Sequence, residues 1–360
     1  MNIDSIKERL LNRGTSSNPV IKACMMGGKG VGKSSVLTSL YKNVDTAVNG
    51  TQLYFEPTGQ TALTLSAKYQ ELMDMFADDS KRKGIPNAGI AGDFSVNTYN
   101  FVFGMKNTRN KMDVNIKDFP GEFIEKEPDV VRSFVEESQC VIVAIDTPHL
   151  MEEGGAFNEA KNCCKRITDF FISNPEAFSS HKLILLVPLK CEKYYYDGRI
   201  AEVSRRTSEV YSELIGFVKE NHPTDVAISI LPIITVGGVV FSGFQRKHGE
   251  VVTVQKADTS LRLPGYVDYA FKNEDAVYSP KYCEQPICYM LTFLAKEYND
   301  LQQKRDESTL WKRFLNHIKD IFNIFSDNPE FLLEVLKLKR KRIVNNPELG
   351  YTIETGKNLI

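Results

Sequence analysis

The chain has 360 residues, of which 42% are hydrophobic and 25% are charged, and its formal net charge is −1. This length and composition provide a sizeable core in one enlarged domain or two, and they exclude a globally disordered chain. The near-neutral balance excludes nucleic-acid binding through overall charge. Seven cysteines, an odd number without C-x-x-C spacing, argue against a disulfide framework or a zinc site.

The first ten residues read as a charged amphipathic helix without the apolar core of a signal peptide. No apolar run approaches the roughly 18 residues that a membrane span needs. We therefore expect a soluble protein of a reducing compartment, the cytoplasm.

The glycine-rich segment from Gly27 to Ser34, G-G-K-G-V-G-K-S, fits the pattern G-x-x-x-x-G-K-[ST] at every fixed position. Residues 20–26 before it are mostly apolar, as in a buried parallel strand, and residues 35–41 after it have apolar side chains at helical spacing. A strand, such a loop and a helix in this order predict a nucleoside triphosphate site.

Each part of this phosphate loop has a predicted role. Backbone N–H groups surround a β-phosphate, and the helix N-terminus adds partial positive charge. Lys33 reaches the β- and γ-phosphate oxygens, and the Ser34 hydroxyl binds Mg²⁺. Lys29 is either a further cation beside the phosphates or a solvated loop lysine. The residues predicted to contact the nucleotide here are Gly27, Gly28, Lys29, Gly30, Val31, Gly32, Lys33, Ser34 and Ser35.

Beyond the loop, strand-like and helix-like segments alternate, which predicts an α/β fold of the P-loop NTPase type, a mostly parallel sheet flanked by helices. In such a sheet, ligands bind at the carboxyl ends of the strands. The predicted strands are 94–103, 111–119, 139–145, 182–189 and 226–240, and the predicted helices are 129–138, 157–171 and 199–221.

The chain divides into three predicted parts, a lead-in helix over 1–17, a nucleotide-binding domain over 18–305 and a basic helical extension over 306–360. The domain contains an insertion at about 44–92, which is too long for a plain loop. Its apolar spacing predicts a helix over 60–76, followed by a mobile polar loop beside the site.

The C-terminal extension has two further features. Residues 310–325 repeat apolar side chains at three- and four-residue steps, which indicates a helix that packs on the parent domain or serves as a partner or membrane-surface helix. Residues 337–342 carry five cations in six positions. Such a run is typical of a solvated helix end, with contact to acidic partners or phosphates as the alternative.

A second motif, Asp118-Phe119-Pro120-Gly121, follows a strand-like segment with alternating apolar residues. Asp118 therefore lies at the carboxyl end of a strand, where it can hold Mg²⁺, usually through water. The Gly121 N–H can contact a γ-phosphate and so sense whether that group is present. The alternative is an ordinary turn.

The two motifs together resemble the TRAFAC branch of P-loop GTPases, which includes Ras-type and translation-factor enzymes. Over about residues 18–300 the chain looks more like bacterial GTPases of that branch that are associated with conflict and signalling gene clusters. The similar segments are D-F-P-G-E at 118–122, V-P-L-K-C-E-K at 187–193, T-V-G-G at 235–238 and Y-C-E-Q-P at 282–286. The resemblance implies a Mg²⁺-dependent switch that binds GTP and GDP, hydrolyses GTP to GDP and phosphate, and works with a protein effector or activator.

The resemblance also implies how the base is recognised. Lys190 would lie over the guanine ring, and the Glu192 carboxylate would accept from guanine N1–H and N2–H. The backbone N–H groups of Val236 and Gly237 would face guanine O6. The chain departs from the usual Asn-Lys-x-Asp, because L-K-C-E at 189–192 has no Asn and its carboxylate is one methylene longer. Guanine specificity is therefore inferred, with a P-loop ATPase as the alternative.

The family also places a switch threonine on Mg²⁺ and the γ-phosphate. Thr58 and Thr61 both lie in the segment after the first helix, and Thr61 is favoured because it begins the next helix, whereas Thr58-Gly59 is typical of a turn. Glu122 stands where Ras-type enzymes have a water-positioning Gln. It could orient or deprotonate a water but would repel γ-phosphate oxygens.

We therefore predict slow intrinsic hydrolysis that a protein partner or self-assembly stimulates. The predicted catalytic residues are Lys33, Glu122 and Thr61, and the predicted metal ligands are Ser34, Asp118 and Thr61. A nucleotide-binding scaffold that hydrolyses little or nothing is the alternative from another functional class.

Overall fold

The structure is a computed structural model that describes residues 20–77, 96–108, 111–178, 180–256, 259–303 and 329–360. Its strands are β1 (Val20–Met26), β2 (Leu53–Pro57), β3 (Asn97–Met105), β4 (Lys111–Asp118), β5 (Cys140–Asp146), β6 (Lys182–Leu189), β7 (Val226–Ile230), β8 (Val239–Phe244), β9 (Arg246–Lys247), β10 (Glu250–Val251), β11 (Thr253–Gln255), β12 (Arg262–Pro264), β13 (Val267–Phe271) and β14 (Thr352–Thr355).

The helices alternate with these strands over most of the described chain. They are α1 (Lys33–Val48), α2 (Gly59–Ala77), α3 (Phe123–Lys126), α4 (Pro128–Glu137), α5 (Thr147–Met151), α6 (Asn158–Asn162), α7 (Cys164–Ser173), α8 (Glu192–Tyr196), α9 (Ile200–Val210), α10 (Ser212–Asn221), α11 (Gln285–Gln303) and α12 (Pro329–Lys341). Short 3-10 turns cover Glu152–Gly155, Pro175–Phe178, Pro347–Leu349 and Lys357–Leu359.

Within the described residues, eight strands form one sheet in the order β14-β7-β6-β5-β1-β4-β3-β2. The five neighbouring strands β7, β6, β5, β1 and β4 run parallel. Strands β3 and β2 at one end and β14 at the other pair antiparallel. The predicted fold class, a mostly parallel sheet flanked by helices, is confirmed.

Both faces of this sheet are covered by helices. Alternate residues of β1 belong to opposite cores, Ala23 and Met25 to one and Cys24 and Met26 to the other. The first core includes side chains of α1, α2, α11 and α12, and the second includes side chains of α4, α7, α9 and α10. Burial on both faces explains why the central strands read as continuous apolar runs.

Three predicted elements are interrupted in the structure. The predicted strand 226–240 ends at Ile230, although Leu231 N and Ile233 N still donate to carbonyls of β6, and β8 pairs with β13 in a separate sheet. The predicted helix 157–171 is two helices, since Cys163 has φ 55°, in the left-handed region. The predicted helix 199–221 is likewise broken at Tyr211, with φ −100° and ψ 15°.

The C-terminal part of the chain joins the main body. Helix α12 packs beside α11. Strand β14, which the sequence did not predict, pairs with β7. In the basic run at 337–342, Arg342 is 9% exposed and donates to Thr292 Oγ1 at 3.0 Å, and Lys341 donates to the Asn49 carbonyl. The predicted features at 1–17, 78–92 and 310–325 lie outside the described residues.

Among the described helices, none combines the length and the apolar composition that crossing a membrane requires.

Candidate functional site

The phosphate loop crosses the sheet edge where the parallel strands end. It occupies residues 27–32, between β1 and α1, and Gly32 precedes α1 with φ 117°, in the left-handed region that favours glycine. Val31 is fully buried, which anchors the loop in the core. The loop and the N-terminus of a 16-residue helix therefore lie together at this edge, an arrangement that suits an anion.

Lys33 and Asp118 meet beside this loop. Lys33 Nζ donates to the Gly27 carbonyl at 3.0 Å and lies 3.7 Å from Asp118 Oδ1. Asp118 ends β4, the strand next to β1, so that the sheet order brings the two side chains together. Burial raises the pKa of Asp118, opposed by the charges of Lys33 and Lys68.

Asp118 Oδ1 is paired with Lys33 by charge, 3.7 Å away, but has no hydrogen-bond donor within the described part of the chain. Among the described residues, buried Asp118 Oδ1 accepts no hydrogen bond, and such an atom costs free energy unless a partner is supplied. A divalent cation or its bound water would satisfy it. Ser34 adds a hydroxyl in the first turn of α1, and this carboxylate and hydroxyl are the hard oxygen ligands that Mg²⁺ accepts, usually with phosphates and waters completing its shell. The donor set therefore fits Mg²⁺.

Gly28 lies between two other backbone segments. A Cβ on Gly28 would lie 1.8 Å from the carbonyl oxygen of Lys161 in α6. On the D-F-P-G turn, a Cβ on Gly121 would lie 2.6 Å from the Gly27 oxygen and 2.9 Å from Gly28 Cα. The structure thus places Gly121 and the end of α6 directly against the phosphate loop, with no room for a side chain at either glycine.

Replacing Gly28 by alanine is expected to destabilise the protein by about 2 kcal/mol, because the methyl group must displace a backbone carbonyl. The control is Gly216→Ala in α10, where a Cβ would meet nothing within 4 Å. That change is expected to stabilise the protein by about 0.5 kcal/mol, since alanine favours a helix. Urea unfolding of both variants measures the difference. Equal stabilities would contradict the close packing of α6 on the loop.

Lys190 also reaches the phosphate loop. It follows β6 with φ 58°, and its Nζ lies 2.6 Å from Asp146 Oδ2 and 3.2 Å from the Gly30 carbonyl. Burial alone would lower the pKa of Lys190, but the Asp146 carboxylate reverses this and raises it. The Tyr269 ring centroid lies 5.7 Å from the same ammonium. The predicted base-side lysine is therefore in contact with the loop.

Asp146 is a site residue that the sequence analysis missed. It ends β5 and is completely buried, and its Oδ1 accepts from His149 N at 3.2 Å and lies 2.6 Å from His149 Nδ1. Burial opposes the charge, but Lys190 and His149 outweigh it and hold the pKa of Asp146 well below its usual value. Its place at the carboxyl end of a parallel strand, like that of Asp118, was the signal available in the sequence.

Glu192 is bonded to the segment predicted to face guanine O6. Its buried Oε1 accepts from Val236 N at 2.9 Å, Gly237 N at 3.3 Å and Thr235 Oγ1 at 3.2 Å. Burial raises the pKa of Glu192, and these donors lower it in part. The structure brings three of the four predicted base-recognition residues, Glu192, Val236 and Gly237, together as partners of one another through Oε1. A base would therefore meet Oε2 or replace these bonds.

The candidate switch threonines lie away from the loop. Thr61 Oγ1 accepts from Asn100 N at 2.9 Å, and Thr58 N donates to the Asn100 carbonyl at 2.9 Å. Asn100 in β3 pairs with Asn115 of β4, three residues before Asp118, which is about 10 Å along the strand. The structure does not bring Thr61 to Ser34 and Asp118.

The two remaining predicted residues are half-buried. Glu122 lies just before α3, directly after Gly121, and Ser35 is in the first turn of α1. Both residues are thus close in the chain to segments that form the loop or pack on it.

No protein-family model matches the chain, and no curated protein matches it. Among solved structures, the GTPase-like domain of S. cerevisiae Ski7, bound to GTP, matches with 12% sequence identity and a TM-score of 0.30. The match covers 65% of this chain and 45% of the Ski7 chain, so that it spans less than half of that chain's length.

Proposed function

We propose that the protein is a GTP-binding and GTP-hydrolysing switch whose nucleotide sits on the phosphate loop. The observation that carries this proposal is the meeting of Lys33 with Asp118 at the sheet edge, where Lys33 Nζ lies 3.7 Å from buried Asp118 Oδ1 and no described residue donates a hydrogen bond to that oxygen. A helix N-terminus, a lysine and an unsatisfied carboxylate in one place suit a phosphate group and its cation.

Each group then has a task. The loop amides and Lys33 would bind the β- and γ-phosphates. Ser34 and Asp118 would hold Mg²⁺, which neutralises phosphate charge. The position of Gly121 supports a sensing role, because its backbone packs closely against Gly27 and Gly28 of the loop. Glu122, the next residue, would orient a water, and its own charge favours a slow reaction.

Such a switch would work with a protein effector or activator, and self-assembly is the other proposed stimulus. The proposal places the chain with the TRAFAC GTPases of bacterial conflict systems and in the cytoplasm. The GTPase branch is supported by the motifs at 27–34 and 118–122, and the subclass by the further similar segments at 187–193, 235–238 and 282–286. The cytoplasm is proposed from the seven cysteines, an odd number without C-x-x-C spacing.

The base preference tests the guanine part of this function. We expect the wild type with Mg²⁺ to bind GDP at least about tenfold more tightly than ADP, about 1.4 kcal/mol, because adenine offers no pair of donors to a carboxylate on that edge. Isothermal titration calorimetry measures both affinities. Equal affinities would overturn the guanine assignment in favour of an ATPase.

A variant sharpens this test. Glu192→Gln keeps one side-chain oxygen for Val236 N and Gly237 N but replaces the other oxygen by an NH₂ group, which cannot accept a hydrogen bond from guanine. We expect the GDP preference to fall to less than about threefold with ADP affinity unchanged. The control is Glu220→Gln on α10, an exposed residue, which should keep the wild-type preference.

One observation favours a second candidate, a nucleotide-binding scaffold that hydrolyses little or nothing. Thr61, the favoured switch residue, is buried and bonded to β3. If the threonine keeps this place when nucleotide binds, it cannot bind Mg²⁺ or the γ-phosphate. Single-turnover hydrolysis of bound GTP separates the two, because a scaffold binds GTP without releasing phosphate.

A further inference from the structure

Lys161 in α6 touches the phosphate loop through both its side chain and its backbone. Its Nζ donates to the Lys29 carbonyl at 2.9 Å, and a Cβ on Gly30 would lie 3.3 Å from the same Nζ. Its own carbonyl oxygen is the atom that excludes a side chain from Gly28. One residue therefore contacts three consecutive loop residues, although no motif includes it.

The neighbouring residue fixes where Lys161 points. Asn162 is fully buried, its Oδ1 accepts from Asp146 N at 2.7 Å, and its Nδ2 donates to the Asp146 carbonyl at 3.1 Å. Cys163 then ends α6 in the left-handed region, with φ 55°. The last turn of α6 is thus tied to the end of β5, which holds the Lys161 side chain over the loop.

Lys161 and Lys190 act on adjacent carbonyls. Lys161 donates to the Lys29 oxygen and Lys190 to the Gly30 oxygen, 2.9 and 3.2 Å away. Both ammonium groups interact with the buried charge of Asp146. Fixing two successive carbonyls orients the peptide planes of the loop, and the orientation of those planes decides whether the N–H groups converge on a phosphate.

We propose that Lys161 is a positioning residue for phosphate binding, which holds the Lys29 carbonyl so that the loop is formed before the nucleotide arrives. A preformed loop loses less conformational freedom on binding, so the affinity for the diphosphate rises. This proposal rests on the proposed nucleotide-binding function and adds to it a residue outside the motifs.

The test compares three variants by the affinity for GDP with Mg²⁺ at about pH 7. Lys161→Met keeps the length of the side chain without its charge and is expected to bind GDP about tenfold more weakly. Lys161→Arg keeps a cation and is expected to stay within about threefold of the wild type. The control is Lys165→Met, which removes an exposed lysine from the next helix and should bind as the wild type does.

A pH profile separates this role from packing alone. Burial lowers the pKa of Lys161 to about 8. The wild-type affinity is therefore expected to fall more between about pH 7 and about pH 9 than that of Lys161→Arg, because arginine keeps its proton while GDP titrates equally with both proteins. The groups that face the ammonium from the surrounding elements are Asp146 of β5, Lys190 after β6, Lys256 after β11, Cys163 after α6 and the Lys29 carbonyl of the loop.

Hydrogen exchange gives a measurement that needs no nucleotide. Without nucleotide, the peptide containing residues 27–34 should exchange faster in Lys161→Met than in the wild type and in Lys165→Met. Unchanged GDP affinity, exchange and pH profile in the Lys161 variants would overturn the positioning role. A wild type that binds neither GDP nor ADP would overturn the proposed function instead, and the exchange result would still decide the role of Lys161. If Lys161→Met does not fold, the profiles of the wild type and Lys161→Arg decide.

Discussion

Lys33→Ala is expected to weaken GDP binding about 100-fold, or about 2.7 kcal/mol, and to abolish detectable GTP turnover. The side chain is held at the loop by the Gly27 carbonyl and stands 3.7 Å from Asp118, so its loss removes the cation that the motif predicts on the β- and γ-phosphates. A charge-assisted hydrogen bond of this kind contributes about 1.5–3 kcal/mol. Isothermal titration calorimetry with GDP and Mg²⁺ provides the measurement.

Lys29→Ala is the comparison within the same loop, because it removes an exposed lysine that is also predicted to contact the nucleotide. Its carbonyl, which Lys161 contacts, is retained, and a loss of less than about threefold would place the Lys29 side chain outside the phosphate contacts. A loss as large as that of Lys33→Ala would assign Lys29 to the phosphates. A folded Lys33→Ala protein with wild-type affinity would remove the phosphate-loop assignment altogether. Circular dichroism of both variants checks the fold.

Local patterns predicted the part of the site that depends on backbone geometry. The strand before the loop and the strand at Lys182–Leu189 have the predicted bounds, because buried parallel strands need unbroken apolar runs. The motif ending in Gly121 was predicted to lie at the sheet edge, and it does, since β4 neighbours β1. These positions follow from strand order and from glycine at points of close approach.

The pairing of strands that lie far apart in the chain could not be predicted from the sequence. Strand β14 joins β7 through residues 352–355, more than a hundred positions away, and four residues carry too weak a pattern to reveal such a partner. Between β8 and β13 in the chain, β9 pairs with β10 and β11 pairs with β12. These two strand pairs were missed for a related reason, because their strands are short and largely exposed. Sequence periodicity reports burial, and these strands have little of it.

Polar residues at the site were the hardest to predict. Lys161 lies in a five-residue helix among polar neighbours, so its sequence context looks like a solvated face. Only the tertiary approach of α6 to Gly28 gives it a contact with the loop. Thr61 shows the converse. The family resemblance suggested a threonine on the metal, and the helix start favoured Thr61 over Thr58, whereas a hydrogen bond from Asn100 N holds Thr61 at β3.

Asp146→Asn is expected to lower the free energy of unfolding by about 3 kcal/mol at neutral pH, because it leaves the Lys190 ammonium without its buried counter-charge. The two carboxylate oxygens each face a donor, Lys190 Nζ at 2.6 Å and His149 Nδ1 at 2.6 Å. An asparagine has one acceptor oxygen, so that its NH₂ must meet one of these donors. Asp197→Asn, at an exposed position after α8, is the control and should change stability by less than about 0.5 kcal/mol.

The stability difference between the wild type and Asp146→Asn should also depend on pH in one direction. Because the pKa of Asp146 is held well below its usual value by Lys190 and His149 against the opposing effect of burial, its contribution is fully present above the unfolded pKa of about 3.9 and is lost as the pH falls through the folded pKa. Urea unfolding should therefore give the same difference at about pH 7 and about pH 5, and a smaller one below about pH 4. A difference that already shrinks between pH 7 and pH 5 would mean that Asp146 takes up its proton in that range. Lys161 and Lys190 would then not share a buried carboxylate.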